Sequence, residues 1–260
     1  MPHSHPRRRR AVRGALAGLA LALAVAACAQ APVTGRSQLI LLPESQDAEM
    51  GLQAYQQIKQ EEKTSSDATL NQRVQTVGRR IAAVSGHPEW DWQFTLFENP
   101  EPNAFALPGG KVGVYTGLFK VAQNDAQLAA VMGHEVGHAI ARHGAERMSH
   151  GILAQLGGVA VGAATGSQAY VDVYSQVATL GVILPYSRGQ ESEADEIGLM
   201  LMAEAGYDPR EAVKLWQNFE ALSGERPPEF LSTHPSEGTR IQRLQELMPK
   251  ALEVYQQHQG

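Results

Sequence analysis

Residues 134 to 138 spell His134-Glu135-Val136-Gly137-His138, an H-E-x-x-H run inside a stretch that reads as one long helix over 125–148. No other feature constrains the chain as much. On a helix, positions four apart differ by about 40° in azimuth and one turn in height, so both imidazoles leave one face and can share an ion. Glu135 lies about 100° from His134, near enough to serve that ion's surroundings without being a ligand. Asn124 is the expected N-cap, with Gln127 at the capping-box position. Gly133 and Gly137 each cost a helix about 1 kcal/mol relative to alanine. Their lack of side chains lets another backbone or a substrate approach the histidine face.

The single cysteine, Cys28, excludes an internal disulfide and any Cys-rich metal site, so a metal here rests on histidine and carboxylate. Such a centre needs a third protein ligand. His143 follows His138 by five residues, about 140° around an unbroken helix, and is expected to point elsewhere. Glu191 and Asp195 are four apart on a predicted helix and share a face, while Glu193 lies about 200° from Glu191. One face thus presents two acids; the natural division is Glu191 as third ligand and Asp195 as the acceptor that fixes a ligand histidine's outer N–H, with a solvated acidic helix face as the bland alternative. Glu193 faces away.

The formal charge is -5, yet Arg7, Arg8, Arg9, Arg10 and Arg13 precede any acidic residue. The rest of the chain is acidic, which argues against a nucleic-acid partner. The basic run and the apolar residues 15–27 read as an export signal, too short to span a bilayer. Val25-Ala26-Ala27-Cys28 reads as a lipobox, with Cys28 as lipid anchor to a membrane. The expected organisation is a signal peptide at 1–27, a lipid-anchored linker at 28–43 and a domain carrying the metal site at 44–260. The expected address is the periplasmic side of the outer membrane.

Helices are expected over 45–63, 66–85, 189–205, 209–223 and 236–252, with strands over 90–99 and 111–116. Gly86, Gly206 and Gly224 read as helix stops. The Gly- and Ala-rich residues 151–166 read as a tightly packed helix, with a membrane-dipping segment as the alternative. The fold class is mostly α, an α+β single domain with a small β-sheet. Either 111–116 or 103–107 could be an edge that pairs with an extended peptide.

H-E-x-x-H followed some fifty residues later by Glu191-x-x-x-Asp195 resembles the gluzincin family of HtpX-, BepA- and LoiP-like zinc metalloproteases, relatives of the CAAX prenyl proteases. Pro32-Val33-Thr34-Gly35-Arg36-Ser37, Asn103-Ala104-Phe105-Ala106-Leu107-Pro108-Gly109-Gly110, and Thr233-His234-Pro235 with Arg240 resemble stretches of its periplasmic members. The likeness covers nearly the whole chain after residue 28 and is nearest to the LoiP-like lipoproteins. It implies a zincin-like domain in which His134, His138 and Glu191 bind one Zn2+ per chain and Glu135 is the catalytic acid/base. It also implies polypeptide substrates, unfolded or misassembled envelope proteins, and names the outer-membrane assembly machinery as a candidate partner. The rival reading is a zinc-stabilised chaperone or assembly scaffold with little proteolysis, which would have no need of Glu135. A small-molecule or peptidoglycan hydrolase is a third.

His234 sits in a Pro-bracketed loop and is assigned with Glu135 to the catalytic group. It is expected either to donate to an oxyanion or to plug the metal's open position; the plug is favoured, and a merely solvated loop histidine is the bland alternative.

Overall fold

A computed structural model of the protein describes residues 28–165, 186–222, 229–234 and 239–258. Residues 1–27, read as the export signal, lie outside the described residues, as do Gly224 and the start of the helix expected at 236. Strands β1 (Cys28–Gln30) and β2 (Ser37–Leu39) form an antiparallel hairpin where a linker was expected. Helices α1 (Glu44–Glu61) and α2 (Ala68–Val84) come next. The Asp67 side chain caps α2 by accepting from the Leu70 N–H, and Gly86 at φ 77° ends the turn after it.

Strands β3 (Gln93–Phe97), β4 (Ala104–Leu107) and β5 (Lys111–Tyr115) make a three-stranded sheet in the order β3-β5-β4. β5 runs parallel to β3 and antiparallel to β4. Because β5 is paired on both sides, it cannot offer an edge, so of the two expected edges only 103–107 is available. β4 was expected as a loop. Its sequence Ala-Phe-Ala-Leu lacks polar alternation, and only pairing with β5 makes it a strand.

The pentapeptide lies in α3 (Asp125–Ile140), capped by Asn124 accepting from the Gln127 N–H at 2.9 Å. Every residue of α3 from Gln127 to Ile140 is buried. A helix buried on all faces is a central core element rather than an amphipathic surface one. Around it pack α2, β4, α5 (Arg188–Glu204) and α6 (Arg210–Leu222). Leu128, Val131 and Met132 are fully enclosed there, each worth about 1.5–3 kcal/mol of burial.

The helix expected to run on to 148 breaks instead. α3 ends at Ile140, Arg142 takes φ 54°, and a separate helix α4 (His143–Thr165) starts in a new direction. A left-handed turn at a non-glycine residue is uncommon, and nothing in the local sequence announces it. Residues 151–165 are helical as expected, but Ile152, Leu153 and Leu156 are exposed rather than tightly packed. Among the described residues no helix is long and apolar enough to cross a membrane.

α5 begins with a complete capping box between Ser187 and Gln190 and stops before Gly206 at φ 74°. A short helix α7 (Glu229–Thr233) carries the chain to His234, and α8 (Arg240–Gln257) closes over α5 and α6.

Candidate metal centre

The centre forms where α3 and α5 touch. A side chain built on Gly198 would lie 2.6 Å from the His134 backbone nitrogen, and one on Gly133 would lie 2.9 Å from the Gly198 carbonyl oxygen. The glycines of the pentapeptide region therefore admit the neighbouring helix, not a substrate. That approach brings Glu191 over both histidines.

His134, His138, Glu191 and His234 are all buried, and each offers one ligand atom within 4.8 Å of the others. The Nε2 atoms of His134 and His138 are 3.1 Å apart. Glu191 carboxylate oxygens lie 3.5 Å from His134 Nε2 and 3.3 Å from His138 Nε2. His234 Nδ1 is 3.3 Å from His134 Nε2 and 3.0 Å from Glu191 Oε1. The donor set is imidazole plus one carboxylate with no thiolate, which suits zinc.

Outer contacts decide which ring nitrogens carry protons. Asp195 Oδ1 is 2.9 Å from His134 Nδ1, a charge contact whose direction falls short of hydrogen-bond geometry. His138 Nδ1 is 2.8 Å from His143 Nδ1, and His143 Nε2 is 3.0 Å from Glu193 Oε2. A carboxylate can only accept, so His143 donates through Nε2; with one proton on that ring, its Nδ1 accepts from the His138 Nδ1–H. Both pentapeptide histidines then turn Nε2 lone pairs toward each other, a costly arrangement unless a cation sits between them. Without one, a single proton must serve: burial opposes charge on either ring, but Asp195 and Glu191 raise His134 to about 9. Burial and the charge on His134 push His138 well below its ordinary value. Burial also disfavours charge on Glu191, yet the three histidines hold its carboxyl well below the usual range.

Arg240 is buried over the Trp216 ring and pairs with both acids, at 2.7 Å from its Nε to Asp195 and also with Glu191. Glu135 is buried beside the cluster, and its Oε1 makes no hydrogen bond. Burial raises its carboxyl above the ordinary range. His234 is no solvated loop residue: it is buried, its ring stacks on Phe230 at 4.6 Å, and its Nε2 lies 3.5 Å from Glu135.

Sequence reasoning missed three participants. His143 was expected to point elsewhere, because its azimuth was projected along a helix that in fact breaks at Arg142. Glu193 does point away from the metal ligands, but it is buried against His143 rather than free. Tyr186 lies with its ring 4.0 Å from that of His138, and burial pushes its phenol up to about 12, so it stays protonated.

Residues 68–248 match the model of Peptidase family M48. The chain is 39% identical over 180 residues to the mitochondrial metalloendopeptidase OMA1 of Schizosaccharomyces pombe, covering 68% of this chain and 53% of that one. It is 33% identical over 249 residues to that of Saccharomyces cerevisiae, covering 88% and 71%. To the beta-barrel assembly-enhancing protease of Escherichia coli it is 29% identical over 220 residues, covering 81% and 45%. The chain thus spans about half the length of the first and third of these relatives.

These matches correct one expectation. The lipid-anchored, periplasmic outer-membrane address is overturned, since the relatives of 39% and 33% identity are named as mitochondrial proteins. An arginine-rich, acid-free leader is common to export and organellar targeting segments, so the leader alone does not fix a compartment. A particular nearness to LoiP-like lipoproteins does not follow from these matches either.

Proposed function

The chain belongs to peptidase family M48, and from that premise we propose that it is a zinc metalloendopeptidase acting on extended segments of unfolded or misassembled polypeptides. One observation carries the reading: two imidazole Nε2 atoms 3.1 Å apart converge with a buried carboxylate on one point, a donor set fit to hold a cation. His134, His138 and Glu191 hold one zinc ion per chain, with Asp195 and Arg240 orienting them. Zinc bound there supplies Lewis-acid polarisation of a carbonyl and lowers the pKa of a water to near 7.

Glu135 does the proton work. It takes a proton from the attacking water and passes it to the leaving amine. Burial raises its proton affinity, and its free Oε1 needs no bond broken before it accepts. Among the described residues β4 pairs with β5 alone, and along its other edge an extended peptide can pair through its backbone with little demand on sequence. We assign His234, seated among the ligands, the role of a plug over the position a substrate oxygen would need.

A zinc-stabilised scaffold would keep the ligands but would have no use for a buried carboxylate at position 135 whose Oε1 makes no hydrogen bond. The test is digestion of unfolded casein by the purified chain. Cleavage that a chelator stops and zinc restores is expected, and cleavage unaffected by zinc removal excludes the reading.

A further inference from the structure

The N-terminal hairpin reaches the metal centre through side chains. Arg36, in the turn between β1 and β2, makes two parallel bonds of 2.8 Å to the carboxylate of Glu146 on α4. Its Nε donates to Glu193 Oε2 at 2.6 Å, and the Thr34 hydroxyl donates to Glu193 Oε1. Gln190 donates to Glu146 at 2.8 Å, tying the same carboxylate to α5. Glu193 is thereby fixed by donors from a segment about 160 residues away in sequence. Its Oε2 accepts from His143 Nε2, and His143 Nδ1 lies 2.8 Å from His138 Nδ1.

We propose that Arg36 is a positioning residue for the metal centre: by fixing Glu193 it sets the tautomer and ring angle of His143, which in turn aims the Nε2 lone pair of His138. The hairpin is then a working part of the site rather than a spacer. Three observations support this. Every group between Arg36 and His138 is buried, with His143 fully enclosed and Glu193 4% exposed. Both links to Glu193 run in one direction, because a carboxylate can only accept and a guanidinium can only donate. The bidentate pairing with Glu146 fixes the guanidinium plane, which a lysine could not reproduce.

The proposal rests on the zinc peptidase reading, and its test separates the two. Zinc affinity is measured by competition with a chromophoric chelator, and the cobalt-substituted protein gives the visible ligand-field spectrum. Arg36→Ala is expected to weaken zinc about 10- to 100-fold and to shift the cobalt spectrum, the range for changes behind a ligand histidine. Arg36→Lys should recover part of both. The double variant Arg36→Ala/Glu193→Ala should be no weaker than Glu193→Ala alone, since both act through one path.

Ser149→Ala is the control. It removes the 2.8 Å bond from the Leu41 N–H to Ser149, which pins the same segment without touching the relay. It should lower stability and leave zinc affinity unchanged. Should Glu193→Ala fail to fold, the partly exposed Arg36 series decides alone. Unchanged affinity and spectrum in Arg36→Ala, or equal losses in Arg36→Ala and Ser149→Ala, overturn the positioning role. Failure of the wild type to bind zinc would overturn the peptidase reading instead.

Discussion

His134 Nδ1 lies 2.9 Å from Asp195 Oδ1, while the other face of Asp195 is held by Arg240 at 2.7 Å. Asp195 thus stands between His134, a candidate metal ligand, and a buried guanidinium. Losing it would free the His134 ring and leave Arg240 with only Glu191, so Asp195→Ala should weaken zinc about 10- to 100-fold. Glu191→Ala removes a ligand and should abolish stoichiometric zinc binding. Metal analysis after gel filtration checks the order; equal retention in both variants would contradict the division of roles.

The contact of α3 with α5 depends on Gly198, where a methyl group would meet the backbone of Gly133 and His134 at 2.6–2.8 Å. Backbone cannot swing aside as a flexible side chain can. Gly198→Ala should therefore cost about 1–3 kcal/mol of unfolding free energy by overpacking, read from urea denaturation. An unchanged midpoint would show that the helices have room to separate.

Glu146 contributes a pH dependence away from the metal. Burial opposes its charge, but the bonds from Arg36 and Gln190 outweigh burial and hold its carboxyl below the ordinary value. A depressed folded pKa stabilises the protein above the unfolded value of about 4.3, and that stabilisation fades as pH falls through the folded value. Glu146→Gln should accordingly destabilise at pH 7, and the gap to wild type should close below about pH 4. Urea titrations with chelator present, which remove metal loss from the comparison, measure it. A gap that widens on acidification would reverse the sign of the pairing.

His234→Ala separates plug from donor. Removing a plug raises basal hydrolysis of unfolded casein, whereas removing an oxyanion donor cuts turnover by about 100- to 1000-fold. The burial of His234 among the ligands predicts the rise. A strong fall would assign the residue to the transition state.

Distance and regularity separate the features that were legible in the sequence from those that were hidden. His134, His138, Glu191 and Asp195 were legible because each pair lies within one regular helix, where 100° per residue places side chains. His143 was not, because the backbone turns at Arg142, a φ 54° residue with no glycine to mark it. Arg36 was hidden by its separation of 157 residues from Glu193. Residues 103–107 were named as a possible edge, but β4 was hidden as a strand because its Ala-Phe-Ala-Leu pattern does not alternate and its pairing with β5 is not local. The compartment was misread because a basic, apolar leader serves more than one targeting route.

The central claim is that Glu135 moves the proton while the other residues hold the metal. Zinc content and casein hydrolysis of Glu135→Gln, measured on one preparation, test it most directly. The amide is nearly isosteric, removes no ligand and cannot accept the proton. The account predicts about one zinc per chain, as in the wild type, with hydrolysis abolished. Full activity with the glutamine in place, or loss of the zinc, would contradict it.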